Sequence, residues 1–166
     1  MAEKKEYIKS FIIRLIVFIF IMLIMFTQIF GFYAIQNNEM QPKLMAGDLT
    51  LFYRIGSKYR SSNVVVYKAK GKKHVGRIIA VPGDTVEITK DGKLIINGST
   101  VIETEIYYTT TAYDGDEVEY PVKLKKNQYF ILGDYREGAK DSRYFGPVSK
   151  KNILGEVITA IRRGNL

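Results

Sequence analysis

From Leu15 to Ile35 the chain runs 21 residues without a charged side chain, interrupted only by Thr27, Gln28 and Gly31. At 1.5 Å per helical residue such a run spans roughly 30 Å, the thickness of a bilayer's hydrocarbon core, so it predicts a transmembrane helix over 15–35. It ends in Phe32-Tyr33-Ala34-Ile35-Gln36 rather than in the small residues of a cleavage site, which favours an anchor over a removed secretory signal. Beyond it helical periodicity is scarce, and short stretches rich in Val, Ile, Tyr and Phe alternate with Gly, Asn, Asp and Pro. The pattern predicts a mainly β domain. Candidate strands are Leu49 to Arg54, Val64 to Tyr67, Val75 to Val81, Thr85 to Thr89, Leu94 to Ile96, Tyr129 to Leu132 and Ile153 to Ile161. Lys90-Asp91-Gly92-Lys93 joins two of them, and its Asp-Gly pair suits a tight hairpin because glycine tolerates positive φ.

Charge orients this arrangement. Lys4, Lys5, Lys9 and Arg14 precede the apolar run, whereas Lys43 and Arg54 are the only cations in positions 36–55. The bias keeps the N-terminus inside. The expected organisation is a cytoplasmic tail at 1–14, one span of the cell membrane at 15–35, and an extracytoplasmic domain at 36–166. Twenty-five Lys and Arg against seventeen Asp and Glu give the chain +8, and setting aside the tail still leaves the outer domain at +6. Outside the cell, nucleic acid drops out as a partner; the outer leaflet, an anionic wall polymer or simple solubility remain. The chain has no cysteine, which excludes disulfides, thiolate metal sites and a cysteine nucleophile. No metal or cofactor is expected.

Residues 98–126 look different from their surroundings. A Tyr/Thr stretch from Tyr107 to Tyr113 leads into Asp114-Gly115-Asp116-Glu117, and the whole reads as an insertion carrying edge strands or loops. The acidic cluster lacks the oxygen-ligand spacing of an EF-hand and is expected to be a solvated turn. Lys68, Lys70, Lys72 and Lys73 flank Gly71 and read as a solvated hairpin tip, with contact to lipid or wall polymer as the alternative.

Three segments follow the apolar run in fixed order. The first is Glu39-Met40-Gln41-Pro42-Lys43-Leu44 with Gly47-Asp48; the second runs from Gly76-Arg77-Ile78-Ile79 to Pro82-Gly83-Asp84. The third runs from Gly133-Asp134-Tyr135-Arg136 through Asp141-Ser142-Arg143 to Gly146-Pro147-Val148. Together they resemble the type I signal peptidases of the S26 family, over nearly the whole chain apart from 98–126. That resemblance implies a β-rich extracytoplasmic fold and a Ser/Lys dyad that cuts secretory signal peptides. Glu39 stands at the serine's place and Gly76 at the lysine's; Tyr135 stands where Asn is usual and Ala139 where a further Ser is common.

The chemistry gives these departures weight. Peptide cleavage by that route needs a hydroxyl to form the acyl-enzyme and a neutral amine to take its proton. Glycine has no side chain to titrate, and a carboxylate attacking an amide would give a mixed anhydride. A Glu39–His74 pair is conceivable, since His74 lies two positions before Gly76 and on the same face of a strand; the simpler expectation is a surface histidine beside the lysine-rich tip. Gly76 is expected to leave a void, and Glu39 to be solvated or held by Arg77 or Arg143. Ser142 is expected to make a structural hydrogen bond, Asp141 and Arg143 an ion pair, and Gly83 and Gly146 turns. A cleft lined by Met40, Pro42, Gly76, Arg77, Asp141, Ser142 and Arg143 is expected to bind a partner without cutting it. The more specific resemblance is to signal-peptidase-like accessory proteins encoded with pili in Gram-positive bacteria, of the streptococcal SipA type, in which both dyad residues are replaced. It implies pilin subunits or their sortase as partners. An active peptidase of divergent mechanism is the alternative.

Overall fold

The computed structural model describes residues 2–56, 58–104, 106–113 and 118–162. Helix α1 spans Ala2–Ile29 and passes without a linker into strand β1, Phe30–Ala34. The helix therefore starts earlier and stops sooner than the apolar run 15–35 implies. Phe30, Gly31, Phe32 and Tyr33 are as apolar as the helix, so hydropathy cannot mark the change; the partner strand β2, Leu49–Tyr53, imposes it through the register Phe30↔Tyr53 to Ala34↔Leu49. Gly31 permits the close approach, because a Cβ there would lie 2.3 Å from the Phe52 ring. The Lys4–Ile29 part of α1 is long and apolar enough to cross a bilayer, and none of it is buried against the rest of the protein.

The remaining elements are β3 Val64–Ala69, β4 Lys72–Ala80, β5 Thr85–Ile88, β6 Leu94–Ile96, β7 Ser99–Thr100, β8 Val122–Lys123, β9 Gln128–Leu132, the one-turn helix α2 Ser142–Phe145, β10 Val148–Ser149 and β11 Ile153–Ile161. They form a seven-stranded sheet in the order β1-β2-β11-β3-β4-β9-β10 and a four-stranded sheet in the order β7-β6-β5-β8. Every pairing is antiparallel. The fold is mainly β, as the alternating pattern predicts, with β1, β7, β8 and β10 added to the strands that the sequence marks.

Two hairpins show how local chemistry sets register. Lys70 and Gly71 both have positive φ, the signature of a two-residue type I′ loop, and they hold β3 to β4 with Ala69 opposite Lys72. In the β5–β6 hairpin Gly92 takes φ +79 while its amide donates to the Thr89 carbonyl at 3.0 Å, a type I turn closed by a left-handed glycine.

Apolar residues gather in three clusters. One face of β3 and β4 buries Val65, Tyr67 and Ile78 with Ile131 and Ile153; the other buries Val66 and Val75 with Tyr33, Ile35, Met40 and Phe52. A bulge between Ile78 and Ala80 switches β4 so that Ile79, Ala80, Phe130 and Leu132 face the small sheet's Val86, Ile88, Leu94 and Leu124. The Pro82-Gly83-Asp84 turn secures this junction: the Asp84 carboxylate accepts the Val81 amide at 2.9 Å and the Asn97 side-chain amide at 2.8 Å. Gly83 and Gly146 both have positive φ, as their expected turn roles require.

The 98–126 segment supplies edge strands β7 and β8 of the small sheet, and its middle folds back onto the third motif. The fully buried Arg136 guanidinium grips both Glu103 carboxylate oxygens, each at 2.6 Å. Arg143 donates to the Thr111 carbonyl at 3.1 Å, and the Tyr113 hydroxyl donates to the Ala139 carbonyl. The Asp114 to Glu117 cluster lies outside the described residues.

Candidate functional site

The first motif occupies the loop between β1 and β2, and that loop is held at both ends. The Ile35 amide donates to Asp48 and the Gly47 amide returns to Ile35, each at 2.8 Å; Asp48 then accepts the Met45 amide through its side chain. At the apex the Tyr135 amide donates to the Glu39 carbonyl at 2.9 Å, and the Asp134 amide to the Met40 sulfur at 3.4 Å. Met40 is 1% exposed, so it acts as the peg that fixes the first motif to the third. Pro42 lies at the surface beyond this peg.

Strand β4 brings in the second motif. Because its hairpin loop has two residues, Ala69 and Lys72 form the hydrogen-bonded pair next to the turn, and bonding then alternates along the strand. The main-chain groups of Lys72, His74 and Gly76 face β3, whereas those of Lys73, Val75 and Arg77 face the other way. On that other side β9 pairs with β4 only from Arg77 onward. Among the described residues the edge at 72–75 is thus without a ladder partner, and so is the outer edge of β1, the terminal strand.

His74 and Gly76 share a face, as the strand's period requires. The two positions have opposite fates. His74 is buried, and its Nδ1 lies 3.1 Å from the Glu39 Oε2; Glu39 Oε1 accepts the Lys140 amide at 3.3 Å. The expectation of a surface histidine fails because the β3–β4 hairpin lays His74 against Tyr67 and Phe145, with the Tyr67 ring stacked at 5.5 Å and the Phe145 ring at 5.8 Å. The expectation that Arg77 or Arg143 holds Glu39 fails as well, because nearer carboxylates claim both guanidiniums. Arg77 binds Asp134 through two bonds of 2.9 and 2.6 Å, and Arg143 binds Asp141 through two of 2.9 and 2.8 Å.

Gly76 leaves no void. A Cβ at that position would meet the Ile131 Cγ2 at 2.7 Å, Tyr67 Cε1 at 3.1 Å and the Leu132 carbonyl oxygen at 3.2 Å. The space is taken by neighbouring side chains, so the expected cavity is corrected to a closed contact. Burial pushes the Tyr67 phenol well above its usual pKa, and the nearby Asp141 and Glu39 carboxylates add to the shift. Tyr67 is a neighbour of this pair that the motifs did not flag, and the sequence offered His74 only as the less simple partner of Glu39. The two-residue Lys-Gly loop was the available signal, since counting back from it places Tyr67 opposite His74.

The third motif is a buried polar frame. Asp141 caps α2, accepts the Gly133 amide at 3.0 Å and pairs with Arg143; Ser142 Oγ accepts the Ile131 amide at 2.9 Å. The expected ion pair and structural hydrogen bond are both present. Asp141, Ser142 and Arg143 are each at most 2% exposed, with polar atoms engaged internally, so they belong to the buried frame instead of lining an open cleft as expected. Burial works against the Arg143 charge, and the Asp141 carboxylate outweighs it, raising that pKa further. A separate groove of about 480 Å³, walled by Ser61, Arg77, Ile79, Ile96 and Ile102, includes none of Glu39, His74 or Gly76. Among the described residues no cluster of three or more His, Asp or Glu could hold a metal.

One apolar helix leading into an antiparallel β domain, with three motifs joined around Glu39 and β4, defines the class. The chain belongs to the signal peptidase family, peptidase S26, whose model matches residues 5–161. It is 33% identical over 170 residues to signal peptidase IB of Staphylococcus aureus strain COL, covering 92% of this chain and 88% of that protein. It is 29% identical over 141 residues to signal peptidase I V of Bacillus subtilis strain 168, covering 77% and 83%. A crystal structure of a signal peptidase I from Enterococcus faecalis V583 matches with a TM-score of 0.49 at 26% identity, covering 62% of this chain and 98% of that one.

Proposed function

We propose that this chain is a signal-peptidase-family membrane protein that binds an extended segment of a partner without cutting it, and that it assists assembly of surface pilin by holding pilin subunits or sortase near the membrane. The helix anchors it with the N-terminus in the cytoplasm and the β domain outside. The observation that carries the non-cutting reading is the pairing of Glu39 with His74 while Tyr67 and Ile131 fill the space above Gly76. A carboxylate stands where the resemblance puts the hydroxyl nucleophile, and the base's place holds packed side chains. The unpaired edge of β4 at residues 72–75 supplies what strand addition needs. Pilin and sortase as partners rest on the resemblance to pilus-encoded relatives of the family.

The second reading is cleavage of secretory signal peptides, which the names of the relatives favour. One observation supports it: an imidazole held by a carboxylate is a general-base arrangement. It lacks a nucleophile, because among the described residues no hydroxyl or amine side chain is hydrogen-bonded to this pair. Incubating the full-length protein in detergent with a preprotein separates the readings. No cleavage is expected; processing that Glu39→Ala or His74→Ala abolishes would establish the peptidase. Photo-crosslinking from exposed position 42 in pilus-bearing cells tests the partner, with capture of pilin or sortase expected and their absence from the captured set counting against the assembly role.

A further inference from the structure

Tyr33 lies on β1 directly across from the unpaired edge of β4. Its hydroxyl donates to the Lys73 carbonyl at 3.0 Å, and the Lys73 ammonium lies over its ring, 5.8 Å from the centroid. By the alternation set at the hairpin, that carbonyl points away from β3, in the direction from which an added strand would offer its N–H. The Tyr33 main chain is fixed, since its own carbonyl accepts the hydroxyl of the fully buried Thr50 at 2.7 Å. Only the phenol end is left to move. The ring is 8% exposed, at the rim of the cluster that holds Val75 and Met40.

We infer that Tyr33 and Lys73 form a latch across the strand-accepting edge of β4, which a bound segment must displace. The inference rests on the β4 edge's being a strand-binding site, and it adds that the resting protein keeps that edge closed. Removing the hydroxyl frees the Lys73 carbonyl while leaving the ring's packing intact. Losing one neutral hydrogen bond changes such an equilibrium by about fivefold. A purely structural bond predicts the opposite coupling, with lower stability and no gain in binding.

The test uses full-length protein in detergent and, as probe, a fluorescent decapeptide of alternating Ala and Val. Tyr33→Phe is expected to bind the probe about fivefold more tightly than the unaltered chain, and to show faster amide hydrogen exchange over residues 72–76. Where the unaltered chain binds the probe, equal or weaker binding by Tyr33→Phe overturns the latch, and so does unchanged exchange in that variant. If exchange accelerates while neither protein binds the probe, the latch stands and the strand-binding reading falls. If both bind equally, strand binding stands and the latch falls. Should Tyr33→Phe fold poorly, Lys73→Gln removes only the cation over the ring; two- to threefold tighter binding is expected, and no change overturns the latch.

Discussion

Glu39 and His74, 35 positions apart in the chain, meet at 3.1 Å with both side chains almost wholly removed from solvent. Each partner desolvates the other. Deleting one leaves a buried polar atom of the other without its bond, Glu39 Oε2 or His74 Nδ1, so Glu39→Ala and His74→Ala should each cost about 1–3 kcal/mol of stability. The losses should fail to add, with a coupling energy of about 1 kcal/mol or more in a double-mutant cycle. Urea unfolding of the four proteins in one detergent measures it, and additive losses would show that the two side chains are merely adjacent.

Gly76 makes a second prediction, against the simplest rescue of catalysis. Restoring the family's dyad by Glu39→Ser with Gly76→Lys puts a long side chain where Ile131 and Tyr67 already touch the backbone. Overpacking of this kind costs about 1–3 kcal/mol, and Gly76→Lys alone should lower the melting temperature by several degrees. The double variant should therefore cut no preprotein. A stable, cleaving double variant would mean that the space above Gly76 opens at little cost.

What the sequence disclosed and what it hid differ by range. The Lys-Gly and Asp-Gly loops, the Pro-Gly-Asp turn and the Asp141–Arg143 pair are local, and each could be read from neighbours in the chain. The end of α1 could not, because Phe30 to Ala34 satisfy a lipid-facing helix and a buried strand equally well, and β2 decides between them. The Glu39 partner was legible only as one option among several: the strand period allows His74, and only the fold reveals that Asp134 and Asp141 have already taken Arg77 and Arg143. The role of 98–126 was equally distant, since nothing near Glu103 in sequence announces Arg136.

That last contact carries a third prediction. Arg136 is fully buried and binds Glu103 through two bonds, while its Nε donates to the Gly133 carbonyl at 2.8 Å. Arg136→Met keeps much of the volume and removes the clamp. Breaking one side of such a pair costs about 3–5 kcal/mol, and the strand of chain from Val101 to Thr111 should lose its attachment to the third motif first. Limited proteolysis should then cut within 101–111 before anywhere else in the β domain. Cleavage no faster than in the unaltered protein would show that Tyr113 and Arg143 suffice to hold the segment.

Tyr67 gives the fold an alkaline limit. Burial and the neighbouring carboxylates hold its phenol well above the usual value of 10.0, whereas in the unfolded chain it ionises near that value. Above pH 10 the native state thus keeps a proton that the unfolded state gives up, and stability falls as pH rises. The stabilisation is complete below the unfolded pKa and is lost through the window above it, at up to about 1.4 kcal/mol per pH unit for one such group. Tyr120, raised chiefly by burial beside Asp141, acts in the same direction. Replacing Tyr67 with Phe removes one titrating group from beneath the Glu39–His74 pair, so unfolding free energies measured between pH 9 and 12 should fall less steeply in Tyr67→Phe than in the unaltered chain. Parallel slopes would mean that the Tyr67 hydroxyl ionises in the folded protein, and with it that the packing over Gly76 admits water.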